Sequence, residues 1–124
     1  MLEILTVLIV MGVLVAIAIP AWRTHELRTR RLYAIGALLM VQKNQDLYFG
    51  EHARYSGSAE KPPPDNRFYR IELRVSGDAL AYTATARARE PAVDSRCVEF
   101  SIDHNGLRRA VDAAGEDRSA DCWR

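Results

Sequence analysis

Residues 1–22 read MLEILTVLIVMGVLVAIAIPAW, and this stretch decides what kind of protein the chain is. Eighteen of these 22 side chains are apolar and Glu3 is the one charge among them. The run Ile4 to Trp22 is 19 consecutive uncharged residues. At about 1.5 Å per residue, a helix of that length nearly matches a hydrocarbon core of about 30 Å. A membrane-embedded helix is the expected element. A cleaved secretory signal fits poorly, because no Lys or Arg stands between Met1 and the apolar run. The small-x-small spacing of Ala16-Ile17-Ala18 also lies inside that run, with Ile19 and Pro20 directly after it.

The averages over the chain hide this stretch. With 124 residues, 48% apolar side chains and a net charge of +1, the whole reads as one ordinary small domain. Such a balance excludes a disordered tail, a collagen-like repeat and a strongly basic nucleic-acid domain. Once the apolar piece is set apart, about 100 residues remain, enough for one modest core and too few for two. A multidomain enzyme is thereby excluded.

Two residues in the apolar piece are odd for a plain anchor. Glu3 puts a carboxylate at the edge of an apolar helix, either in the headgroup layer or paired with a partner, since an unpaired charge drawn inward costs about 2–3 kcal/mol. Pro20 lacks a backbone N–H and is expected either to end the helix at the membrane surface or to kink or loosen it around Ala16 to Pro20.

Helical signal continues beyond Pro20. From Ala21 to about His52 no further proline occurs. Apolar residues recur at Leu32, Ile35, Leu39 and Phe49, with Leu38, Val41 and Leu47 alongside. Both halves together make a helix of about 50 residues, roughly 75–80 Å long, more than twice the bilayer core. Its second half must lie on a globular domain. The division expected is 1–22 as a transmembrane helix and 23–124 as a head. The head comprises an amphipathic helix (23–52), a Gly- and Pro-rich loop (53–66), an antiparallel sheet and a C-terminal region (97–122).

Strand-like runs follow the loop: Phe68 to Ser76, Leu80 to Arg89, Val98 to Ile102 and Leu107 to Val111, with turns at Gly77-Asp78 and Asp103 to Gly106. Tyr69, Ile71, Leu73 and Val75 alternate with Arg70, Glu72 and Arg74, and Leu80, Tyr82, Ala84 and Ala86 repeat the pattern. One sheet face is therefore apolar, and the helix stripe is the large apolar surface available to cover it. The fold class expected is α+β, a four-stranded antiparallel meander on the C-terminal half of a long helix.

Cys97 and Cys122 are the two cysteines. A structural zinc needs four ligands, so in an exported chain an isolated pair is expected to form a disulfide. Closing a loop of about 26 residues contributes roughly 3.5 kcal/mol in the chain-entropy model, and ties the polar tail to the sheet.

No catalytic constellation emerges, and no cofactor or metal site is expected. His25, His52 and His104 stand on a juxtamembrane helix, at a loop entrance and in a hairpin turn, without metalloprotease spacing. Asp112, Glu116, Asp117 and Asp121 do not match a calcium loop and are read as a solvated tail. Arginine dominates the cations, 15 to 2 lysines. Arg23, Arg28, Arg30 and Arg31 follow the apolar span, where they either meet anionic headgroups or line a solvated helix face. A basic flank normally stays in the cytoplasm, which conflicts with a disulfide-bearing head on the same side.

The N-terminal pattern resembles the first helix of type IV pilins. That helix runs Phe-Thr-Leu-x-Glu-Leu, then an apolar stretch with a mid-helix Gly, then Ala-Ile-Ala-Ile-Pro-Ala and an aromatic. Glu3, Gly12, the stretch Ala16 to Ala21, and Trp22 match it in register. Gln42 to Ser56 and the ending at Cys122-Trp123 are similar to the corresponding parts of PilE-type minor pilins. The resemblance implies a type IV pilin fold and a filament subunit, minor rather than major, serving pilus biogenesis, twitching motility and adhesion. It implies other pilin subunits, the inner-membrane assembly machinery and a prepilin peptidase as partners. It places the head in the periplasm before assembly and on the cell surface afterwards. It gives assembly roles to Glu3, Gly12 and Pro20. Met1 takes the family's Leu position, so a precursor beginning upstream with a basic leader is expected, its first mature residue N-methylated. Such a leader also removes the charge conflict.

Three other readings remain at this stage. A type II secretion pseudopilin shares the helix. A DNA-uptake minor pilin would touch phosphates with Arg108, Arg109, Arg118 and Arg124, in a field weakened by neighbouring acids. A membrane-anchored enzyme has no site to support it.

Overall fold

The computed structural model describes residues 1–58, 60 and 62–124. The elements in order are α1 (Leu2–His52), β1 (Tyr69–Val75), β2 (Tyr82–Ala88), β3 (Glu99–Asp103), β4 (Arg108–Val111) and a short α2 (Ser119–Cys122). The expected loop 53–66 lies between α1 and β1, and two of its residues, 59 and 61, lie outside the described ones.

α1 has 51 residues, about 77 Å at a normal helical rise. It continues through Pro20, so the helix end expected there as one of two outcomes is not present. One missing N–H removes a single rung, and the ladder on both sides keeps the segment helical. Thr6, Thr24 and Thr29 each donate a hydroxyl hydrogen bond to the carbonyl four residues earlier, at 2.6, 3.1 and 3.0 Å. The helix stops at Ala53, which takes the left-handed conformation (φ 53°) and donates its N–H to Phe49 O at 2.8 Å. That closure is usually made by glycine.

The strands form one antiparallel sheet in the order β1-β2-β3-β4. Leu73, Ala84 and Ile102 stand in one cross-strand row, and Ile71, Ala86, Phe100 and Ala110 in the next. Ala84, Ala86, Phe100, Ile102 and Ala110 are all buried. Small residues from β2 and β4 flank the two large ones from β3, which leaves a shallow trough for α1. Leu80, expected on this face, is exposed beside the turn instead.

The helix face that fills the trough matches the expected one at Leu38 and Val41 and departs from it elsewhere. Ala34, Ala37, Leu38, Val41 and Gln45 are buried, whereas Leu32, Leu39 and Leu47 are exposed. The reason is steric. Alanines let the helix axis approach the sheet closely, and bulkier leucines at those positions would hold it away. Counting only large apolar side chains therefore rotates the stripe.

Two polar side chains fasten the long loop. Gln45 is 1% exposed and donates from Nε2 to Ser56 O and Ser56 Oγ, while its Oε1 accepts the Ser56 N–H, all at 2.9–3.0 Å. Asn66 donates to Tyr33 O at 3.0 Å and accepts the N–H groups of Phe68 and Tyr69 at 3.0 and 3.1 Å. A buried partner lost from such a set costs about 1–3 kcal/mol, so these amides hold both ends of the loop to α1.

Candidate functional site

The first 26 residues are exposed without exception, and burial of α1 against the sheet begins only further along. An apolar helix with no covered side is a surface for lipid or for other helices. Glu3 lies in its first turn. Gly12 meets nothing within 4 Å where a Cβ would stand, so no contact inside this chain requires a glycine there. Pro20 is likewise surrounded by no part of the head. These three residues are spread along one exposed rod and are brought together with nothing else in the chain.

At the other end of the chain, Cys97 and Cys122 form a disulfide with Cα atoms 5.8 Å apart. The sequence between them builds a compact unit on the sheet edge. Asp103 O accepts the Gly106 N–H, and Asp103 Oδ1 accepts those of Asn105 and Leu107 at 2.9 Å, with Gly106 at φ 78°, so the expected turn closes the β3–β4 hairpin. Asp112 accepts the N–H groups of Ala114 and Glu116 and pairs with Arg118 at 3.1 Å. Hydrogen bonding from the Glu116 backbone and then Arg118 lowers the Asp112 pKa. Ser119 lowers that of Asp117 in the same way. The tail carboxylates are thus used as turn acceptors. α2 was not foreseen in this tail. It carries Cys122 inward and lets Trp123 cover Phe100, with ring centres 5.8 Å apart and its indole N–H on Arg109 O at 2.9 Å.

The four arginines considered for DNA have different surroundings. Arg108 lies over the Trp123 ring at 5.4 Å, and Arg118 is held by Asp112 and Glu116. Arg109 pairs with Ser101 in the sheet register and borders a recess with Thr83, Ser101 and Asp103. Arg124 sits apart, beside α1, with Thr24 and Arg28.

Sequence reading missed a clamp between helix and head. Asp94, 7% exposed, accepts two hydrogen bonds from Arg31, at 2.6 and 2.9 Å. The bond to Asp94 raises the Arg31 pKa against the opposing effect of burial. Nothing in spacing pairs residues 63 apart, and only the fold supplies the contact. His52 stacks on Tyr48 at 4.0 Å, and among the described residues no group of His, Cys, Asp and Glu is arranged to hold a metal ion.

Comparison with known proteins agrees with this architecture. No curated protein sequence matches the chain. A type IV pilin from Shewanella oneidensis superposes with a TM-score of 0.57 at 18% identity, over 65% of this chain and 88% of that one. The non-core minor pilin PilV of Neisseria meningitidis gives 0.56 at 16% identity, over 71% and 92%. Both show the fold. The sequence model of the family described as type IV minor pilin ComP, DNA uptake sequence receptor, matches residues 20–101, from Pro20 through the second half of α1 to the middle of β3. That match covers well over half of the chain, and with the long exposed helix, the four-stranded sheet and the Cys97–Cys122 bond it places this protein in the type IV minor pilin family, as a membrane-anchoring, filament-forming subunit.

Proposed function

We propose that this minor pilin waits in the bacterial inner membrane with its head in the periplasm, and is drawn by the pilus machinery into a surface filament. There it supports biogenesis, twitching motility and adhesion, and has no catalytic role of its own. The observation that carries the reading is the contrast within one helix: residues 1–26 uncovered on every side, and the half after them fitted to the sheet. Before assembly lipid covers the rod; in the filament, the rods of other subunits do. Glu3 then answers a basic group of a neighbouring subunit, and Gly12 permits close approach of helices. The test is mechanical shearing of surface filaments followed by detection of the chain. Recovery in the filament fraction is expected, and confinement to the membrane fraction would favour a secretion pseudopilin.

A second reading has one specific observation in its favour, the matched family's description as a receptor for the DNA uptake sequence. Arg108, Arg109, Arg118 and Arg124 lie beyond the matched residues 20–101, and two of the four are occupied as described. If the head binds duplex DNA, binding weakens with salt, with a log–log slope of about −0.9 per phosphate neutralised. Arg109→Gln is expected to reduce the slope by about 1 in a titration of the full chain in detergent. An unchanged slope removes Arg109 from any DNA surface.

A further inference from the structure

The described cavities include a cleft of about 510 Å³ at the membrane-proximal base of the head, within the size range of small-molecule sites. Thr24, Arg28 and Arg31 of α1 line one side, and Arg96, Asp121 and Arg124 of the disulfide region line the other. The bond between Cys97 and Cys122 explains the meeting. It fixes Arg96, next to Cys97, and Arg124, just past Cys122, beside a helix from which they are far in sequence.

Charge in the cleft is unbalanced. Arg31 is committed to Asp94 at 2.6 Å, and Arg96 reaches Asp121 only at 3.5 Å. Arg28 and Arg124 have no ion-pair partner among the described residues. An arginine fork presents paired N–H donors that match phosphate oxygens, and several forks around one recess make a phosphate site.

Depth selects the source of the phosphate. Arg28 stands six residues past Trp22, the last residue of the apolar run, which is about 9 Å along the helix. The headgroup layer of one leaflet is roughly 5–8 Å thick beyond the hydrocarbon. When the apolar run fills the bilayer, the Arg28 backbone stands just outside the headgroup layer, and its side chain, tilted toward the helix N-terminus, reaches back to the level of the lipid phosphates. A duplex offers phosphates strung along a groove and is bound by a stripe of cations; here the free arginines are gathered in one recess at the membrane end of the head.

We propose that this cleft binds the phosphate of an anionic phospholipid headgroup while the subunit is membrane-embedded, seating the head against the bilayer until the subunit leaves for the filament. The inference rests on the membrane-anchored state of the chain. Arg28 and Arg31 come to it from the helix flank, and Arg124 from the group considered for DNA.

The full chain, reconstituted in vesicles of equimolar phosphatidylglycerol and phosphatidylcholine and released for native mass spectrometry, tests it. Total retained lipid reports anchoring, and the ratio of the two lipids reports the cleft, so the two failures are distinguishable. About tenfold enrichment of phosphatidylglycerol is expected, falling to parity in R28Q/R124Q and largely kept in R28K/R124K and in R108Q/R109Q. Millimolar inorganic phosphate should leave the ratio unchanged. Equal enrichment in the native chain and R28Q/R124Q would overturn the proposal. So would equal loss in R108Q/R109Q, displacement by free phosphate, or displacement by a short DNA duplex, the last of which would assign the cleft to nucleic acid.

Discussion

Glu3→Ala is expected to remove the subunit from filaments while leaving the head fully folded. The carboxylate sits in the first turn of α1, exposed, and about 36 Å of helix separates it from the first partly buried residue, Leu27. No interaction inside the chain depends on it, so unfolding of the head should be unchanged within about 0.5 kcal/mol. Between subunits the balance is different. A carboxylate and an amine about 4 Å apart at an effective dielectric near 20 attract by about 4 kcal/mol before desolvation. Desolvation takes back part of this, leaving a charged hydrogen bond worth about 1.5–3 kcal/mol. That corresponds to roughly a 10- to 150-fold fall in incorporation, read from the ratio of filament to membrane-bound protein. Normal piliation by the variant, or equal loss from the membrane fraction through misfolding, would remove Glu3 from this role.

Phe100→Ala should have the opposite signature, unfolding the head without altering the rod. Phe100 is 0% exposed at the centre of the sheet. Tyr69 meets it edge-on at 5.7 Å and Trp123 at 5.8 Å, with Ala86 and Ala110 beside it in register. Neighbours this small cannot collapse into the space, so the cost belongs at about 3–5 kcal/mol. A domain of this size holds about 5–15 kcal/mol in all. In detergent the thermal midpoint of the full chain should fall by roughly 12–40 °C, with Trp123 emission shifting to the solvent-exposed value. A loss below about 1 kcal/mol would show that the sheet and α2 do not share this core. Reduction of Cys97–Cys122 should deepen the defect, since the crosslink constrains a 26-residue loop by about 3.5 kcal/mol.

The broad outline could be read from residues alone because its signals are large and local. Nineteen uncharged residues from Ile4, period-two alternation from Tyr69, and the Asp103–Gly106 turn each need no tertiary contact to be recognised. The failures lie where tertiary geometry decides. Ala34 and Ala37 carry too little hydrophobic weight to mark a core face, yet close approach to Ala84 and Ala86 requires them. Gln45 and Asp94 are polar residue types usually found outside, and their burial makes sense only once Ser56 and Arg31 are placed against them. The four arginines near the C-terminus looked like one cluster along the chain. Strand alternation, α2 and the disulfide give them different surroundings, and one of them joins α1 to make the basal cleft. Of the two outcomes open at Pro20, a helix end is the one the structure removes, because a single lost rung leaves the ladder on both sides in place.

This chain is built to leave a membrane and enter a filament by its exposed apolar helix. Intact-mass analysis of sheared, washed surface filaments tests it most directly. The chain is expected in that fraction with its N-terminal helix retained and two hydrogens missing for the Cys97–Cys122 bond. Filaments that lack the chain, while the membranes of the same cells hold it folded and oxidised, would contradict it.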